Sequence, residues 1–252
     1  MLLREYNIFV GAIEATRLNW IGMFFNNFLP SGIGGDAYKF VFLNRRYPNR
    51  KAAILSSVFI DRGLGLLAVI AVGLGASLFF LNKFSLSSAQ LLFYYLSAAG
   101  VLISSVLAVV FRKRLSISWK PKAMLAMKIV DAFNTLCAFP KTGPLIIVFV
   151  SSFIFVVITA LSYSFFFAAF GISVPFLLLL FLIPLIAIAE MAPFTINSLG
   201  IREGVGMFLF SYFGIPAAVS LSVLLASRVI GLLLSVTGGV AYLFSRRGGG
   251  RG

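Results

Sequence analysis

The sequence predicts an all-α integral membrane protein with five full transmembrane helices and two broken, re-entrant helical segments that together form an inverted repeat. Three observations carry that expectation. Hydrophobic residues make up 60% of the 252-residue chain and charged residues only 11%, with a mean hydropathy of +1.04, whereas a soluble domain carries about 25% charged residues. Apolar runs reach the roughly 20 residues that a helix needs to cross about 30 Å of hydrocarbon. Finally, two Gly- and Pro-containing stretches interrupt the apolar pattern, and each is followed by a similar helix.

In chain order, Arg4, Glu5, Glu14 and Arg17 break up the N-terminal region. No uninterrupted apolar core of a signal peptide forms there, and the first element is expected to be a helix lying at, or partly entering, the membrane. A broken apolar stretch follows at 18–29 with 37–43. The full spans are expected at 52–81, 89–111, 143–170, 174–192 and 217–244, and a second interrupted stretch at 204–215. Gly, Pro and polar residues inside an apolar run mark re-entrant or discontinuous helices. Between the second and third spans, residues 112–141 mix Met124, Met127, Ile129 and Phe133 with lysines. That mixture suits an interfacial amphipathic helix, with a plain solvated loop as the alternative. The chain reads as a single polytopic domain over residues 1–252.

Charge sets the orientation. Lys39, Arg45, Arg46, Arg50 and Lys51 cluster before the first span, seven Lys and Arg residues lie in 112–141, and Arg246, Arg247 and Arg251 end the chain. The turns at 82–88 and 171–173 hold only Lys83. By the positive-inside rule the basic segments, including the C-terminus, are cytoplasmic, in the cell (plasma) membrane. The formal net charge of +14 is thereby assigned to membrane loops, with no nucleic acid as partner. With Cys137 the lone cysteine and no histidine, intrachain disulfides, Cys- or His-based metal centres and Ser-His-Asp chemistry are excluded. No metal and no cofactor are expected.

An internal repeat supports the architecture. Residues 52–67 (AAILSSVFIDRGLGLL) align without gaps to 218–233 (AVSLSVLLASRVIGLL), placing Arg62 on Arg228 and Gly65 on Gly231. Upstream of each lies an interrupted stretch, LPSGIGGD at 29–36 and APFTINSLGIREG at 192–204. Repeat one covers about 18–81 and repeat two about 190–244. The charge rule runs the first copy outward and the second inward, the inverted arrangement of many transporters, whose substrate sites lie at the repeat interface.

Candidate site residues are the charges within or beside these runs: Asp36, Asp61, Arg62, Glu190, Arg202, Glu203 and Arg228. A charge at a helix centre costs about 2.5–3.5 kcal/mol on insertion scales, so it faces a partner or a water-filled cavity. Arg62 lies roughly 16 Å along a helix from Lys51, near mid-depth. One reading is internal salt bridges that only hold helices together. The other is a polar cavity whose arginines meet an anionic head group, since the guanidinium fork matches phosphate. Pro30, Gly34, Gly35, Pro193 and Gly200 shape the breaks, with helix N-termini after Gly35 and Gly200 whose free N–H groups favour anions. Asp36 and Glu203 then fall in first turns, where capping alone is a sufficient role. The GIGGD stretch has the spacing xGGD rather than the GxGD of intramembrane aspartyl proteases, no Tyr-Asp partner is found in another span, and no GK[ST] follows to make a P-loop.

LPSGIGGDAYKF, IDRGLGLL, EMAPFTINSLGIREG and SRVIGLLL occur in this order over about 18–244. Together they resemble the lysylphosphatidylglycerol synthase transmembrane (flippase-like) family. The resemblance implies a multi-spanning protein that translocates phospholipid or aminoacylated phospholipid between leaflets, with polyprenyl-linked lipid as a further partner class in the family. It implies block residues at Gly34, Gly35 and Asp36, at Asp61 and Arg62, and at Pro193, Gly200, Arg202 and Glu203. Lys39 stands where the family's first block carries its basic residue. Because the family generally has one or two helices before that block, the chain reads as a short or N-terminally incomplete member. No soluble aminoacyl-transferase domain follows, so the chain is read as leaning away from an enzyme, with any transferase a separate chain. The alternatives are a membrane subunit of an aminoacyl- or glycosyl-transferase system and a non-transporting scaffold.

Overall fold

The computed structural model describes residues 2–28, 33–79, 100, 143–191 and 197–248. The elements among them are helical: α1 (Leu2–Glu5), α2 (Ala12–Asn26), α3 (Gly34–Arg46), a 3-10 turn (Pro48–Arg50), α4 (Lys51–Ser77), α5 (Gly143–Ala169), α6 (Phe176–Glu190), α7 (Ile201–Tyr212) and α8 (Ala217–Gly248). Three segments have the length and composition of membrane spans: Pro48–Ser77, Gly143–Ala169 and Ala217–Phe244, with mean hydropathies of 1.9, 2.8 and 2.1. Only 28%, 17% and 22% of their most apolar windows are buried within the chain, so most of that apolar surface is left to lipid. They coincide with the spans expected at 52–81, 143–170 and 217–244. The span expected at 89–111 and the amphipathic segment at 112–141 lie outside the described residues.

The run at 174–192 forms a shorter helix than expected. Pro175 is the N-cap of α6, since proline's fixed φ suits a helix start, and the helix ends at Glu190 after 15 residues. At 1.5 Å per residue that is roughly 22 Å, less than the hydrocarbon thickness of about 30 Å. Among the described residues, α6 is therefore a short apolar helix and not a full span. In repeat one the helix start lies two residues earlier than expected: α3 begins at Gly34 itself, whereas α7 begins immediately after Gly200 as expected.

The chain divides into two compact units, Met1–Phe9 with Arg46–Val157, and Val10–Arg45 with Ile158–Gly252. In the first unit, Leu2 of α1 packs with Ile60 and Leu64 of α4 and with Leu145 of α5, with Tyr6, Leu67, Val148 and Phe149 around them. The Tyr47 hydroxyl donates to the Phe9 carbonyl at 3.1 Å, tying the turn after α3 to the segment after α1.

The second unit is built from two helical hairpins, α8 and the part of α5 from Ile158 onward. In the first hairpin α2 folds back into α3 through glycine contacts: a Cβ on Gly35 would lie 2.8 Å from the Gly22 carbonyl oxygen. Phe25 stacks on Tyr38 at 5.0 Å, and Tyr242 of α8 meets the two rings edge-on at 5.3 and 5.8 Å. In the second hairpin α6 folds back into α7, with Phe181 against Phe213 and Gly206 beside Ile186 and Leu224. Helix α8 receives α2 at Gly238 and Gly239, against Trp20 and Phe24 respectively. The Trp20 indole N–H donates to the Thr237 hydroxyl at 2.8 Å. In lipid, helices associate by this kind of close approach at small residues, because apolar burial alone gives no preference for helix over acyl chain. The succession of short hairpin then long helix occurs twice in the chain, as α2–α3–α4 and as α6–α7–α8.

Candidate functional site

The site lies within the second unit and is organised by two ion pairs of unequal character. On α8, Arg228 is 8% exposed. Its Nε donates to Glu203 Oε1 at 2.6 Å, and its Nη1 and Nη2 donate to the carbonyls of Asn197 (2.9 Å) and Ser198 (3.4 Å). The other Glu203 oxygen, Oε2, accepts the Gly200 N–H at 2.9 Å, closing the exposed N-terminus of α7 as an acid at the third helical position does. Every polar group of this pair is thus spent on the protein. The turn it grips is a costly one, with φ of 48° at Asn197, 54° at Ser198 and 85° at Gly200. Only glycine adopts that left-handed region without penalty.

The second pair is looser. Arg202 Nε lies 3.2 Å from Glu190 Oε1, yet Nε is buried without a hydrogen bond among the described residues, so the contact is ionic and misaligned. The Nη2 of Arg202 donates to the Tyr163 hydroxyl and, at 3.0 Å, to Ser227 Oγ. The side chains of Arg202 and Glu190 are 22% and 32% exposed, against 8% and 10% for Arg228 and Glu203. One pair is sealed and the other is open.

A cavity of about 230 Å³ opens beside them. Met23, Asn26 and Asn27 line it from the first hairpin, Glu190, Asn197, Ser198 and Arg202 from the second, and Ser227, Arg228, Gly231, Leu232 and Ser235 from α8. Two of its walls are bridged by amides: Asn27 Nδ2 donates to Ser235 Oγ at 2.6 Å, and Asn197 Nδ2 donates to Asn27 Oδ1 at 3.1 Å. Asn26 Oδ1 accepts the Gly35 N–H at 2.6 Å, capping α3. The Ser198 hydroxyl donates to the Glu190 carbonyl at 2.8 Å and so satisfies an end group of α6. Two carboxylates and two guanidiniums balance to zero formal charge around the site.

Of the residues singled out in the sequence, Glu190, Arg202 and Arg228 line the cavity, and Glu203 stands behind Arg228 as its partner. Gly200 is the N-cap of α7. Gly34 and Gly35 serve close helix packing: a Cβ on Gly34 would lie 2.0 Å from the Phe25 carbonyl oxygen. Asp36 is not among the lining residues and pairs instead with Lys39, one turn on, at 3.9 Å. Asp61 and Arg62 are exposed on α4 in the first unit, each with interactions of its own. They do not line this cavity, whose walls come from the second unit alone. Pro30 and Pro193 lie outside the described residues. Asn27, Asn197, Ser227, Ser235 and Tyr163 are additions from the structure. Their signal in the sequence is faint: an Asn-Asn doublet before the first break, an Asn-Ser pair in the second, and a serine directly before Arg228.

The model of the family described as lysylphosphatidylglycerol synthase TM region matches residues 1–239. The chain belongs to this family. It is a multi-pass membrane protein related to lipid modification, and a member whose open ion pair, Arg202 with Glu190, sits on a cavity rather than in a sealed core. Neither a curated protein nor a solved structure matches the chain.

In this family member Tyr163 and Ser227 together hold the Arg202 guanidinium. Tyr163→Phe removes one of these two hydrogen bonds and is expected to lower stability by about 0.5–1.5 kcal/mol, a modest loss in a thermal unfolding measurement in detergent, because the Ser227 bond remains.

Proposed function

We propose that this protein is a lipid translocase, and that the cavity of the second unit receives the polar head group of a phospholipid or aminoacyl-phospholipid as it passes between leaflets. One observation carries the reading: a charged hollow at the ends of broken helices, in a chain whose long helices leave their apolar faces to lipid. Irregular backbone at membrane depth is tolerated only where protein or a water-filled cavity covers it, and discontinuous helices are where transporters place their substrates. Arg202 is the residue for the phosphate. Its fork suits paired hydrogen bonds, and its ionic contact to Glu190 is misaligned, so a phosphate oxygen replaces a weak partner. Glu190, released from Arg202, then meets an ammonium or hydroxyl of the same head group. Arg228 and Glu203 keep the frame. The protein acts in the cell membrane with its C-terminus cytoplasmic.

The test is head-group translocation in proteoliposomes, read by dithionite quenching of a fluorescent phospholipid and by surface labelling of lysyl-phosphatidylglycerol. Wild type is expected to move at least one of them, and Arg202→Ala to reduce the rate by tenfold or more, with Arg202→Lys intermediate. Equal rates for wild type and Arg202→Ala, in protein of equal thermal stability, refute the assignment.

A further inference from the structure

The two hairpins of the second unit meet at their tips through side chains that no charge argument predicts. Asn27, immediately after α2, accepts from Asn197 and donates to Ser235 of α8, and both asparagines line the cavity. Asn197 is also one of the left-handed residues in the turn ahead of α7. That turn keeps its shape because Arg228 grips the carbonyls of Asn197 and Ser198 while Glu203 holds the Gly200 N–H. Backbone in this region persists only where surrounding contacts over-determine it, and such strain collects at switch elements. The position of the Asn197 amide is therefore tied to the backbone of that turn.

We propose that Asn27 and Asn197 form a latch across the cavity, and that relaxation of the strained turn at 197–200 withdraws the Asn197 amide and widens the opening. Two neutral amides suit this role. Their hydrogen bond is weak enough to break on a transport timescale, unlike the sealed Arg228–Glu203 pair, and breaking it strands no charge in the membrane. The latch rests on the cavity and not on the identity of the lipid, so its test reads access rather than transport.

Gly231 supplies the reporter, because it lines the cavity and a Cβ added there meets nothing within 4 Å. In a Cys137→Ser, Gly231→Cys chain in proteoliposomes, the rate of modification by a membrane-impermeant methanethiosulfonate is measured. Adding Asn27→Ala with Asn197→Ala is expected to raise the rate by about three- to tenfold, the factor that one hydrogen bond provides. A second pair, Asn27→Asp with Asn197→Lys, replaces the amide bond by an ionic one and is expected to bring the rate to wild-type level or below it. It keeps the test decisive should the alanine pair not fold. Unchanged rates in the alanine pair, or a rate in the Asp/Lys pair as high as that expected for the opened latch, overturn the proposal. Loss of lipid translocation with the latch response intact counts instead against the translocase reading.

Discussion

Arg228→Ala is expected to be the most destabilising single change in the second unit, costing about 3–5 kcal/mol. The substitution strips Glu203 of its buried partner and leaves a carboxylate on a side chain that is only 10% exposed. It also releases the carbonyl of Asn197 at a strained turn and removes one of two bonds to the Ser198 carbonyl, which keeps the Arg202 N–H at 3.3 Å. Arg228→Lys rescues little, because one ammonium cannot reach a carboxylate and two carbonyls in the planar fork geometry that the guanidinium supplies. Glu203→Gln is milder: the amide oxygen still accepts from Gly200 or from Arg228, though not with the strength of a charge-assisted bond. Thermal unfolding in detergent, scored with the monodisperse fraction, checks the order Arg228→Ala below Arg228→Lys below Glu203→Gln below wild type. An Arg228→Ala protein as stable as wild type removes the pair from the frame.

The second large effect is expected at Gly238→Ala. The added Cβ would sit 2.1 Å from the Trp20 carbonyl oxygen, far inside contact distance and against backbone that has no rotamer to yield. Helices α2 and α8 must then separate by about 1 Å, a shift of the kind that overpacking forces at about 1–3 kcal/mol or more. The separation also withdraws Trp20 from Thr237 and Phe24 from Gly239, and with them the asparagine that follows α2. The control is on the same helix. Gly231→Ala meets open space and exchanges a poor helix former for the best, a change worth up to about 1 kcal/mol in favour of the helix. Opposite signs for these two alanine substitutions, seven residues apart, are the expected result in the same unfolding assay; equal effects contradict the packing described for α8.

How much of this was legible in the sequence depends on the range over which each feature is encoded. Run length and hydropathy placed α4, α5 and α8 to within a few residues, because lipid burial acts on every residue of a span. The start of α7 was readable from Gly200, whose positive φ needs glycine, with an acid three residues on. The assignment of partners was not. Arg202 and Glu203 are neighbours in sequence but about 100° apart around a helix, so one faces Glu190 and the other Arg228, and nothing local tells which. The shortness of α6 follows from Pro175 at one end and from Ser198 closing the other, a hydrogen bond that depends on the turn's unusual backbone. The Asn27–Asn197 contact spans 170 residues and leaves no periodic trace. Arg62 aligns with Arg228 in sequence, yet their settings differ: one is exposed on α4 and the other is buried in the second unit's frame.

The short helix α6 carries one more consequence. A bilayer meeting a hydrophobic element some 8 Å shorter than its own acyl region thins locally, or the flanking residues snorkel to the interface, each adjustment costing a fraction of a kcal/mol per ångström. On the translocase reading, acyl-chain length in the host membrane is then expected to set how far a polar group travels beside α6.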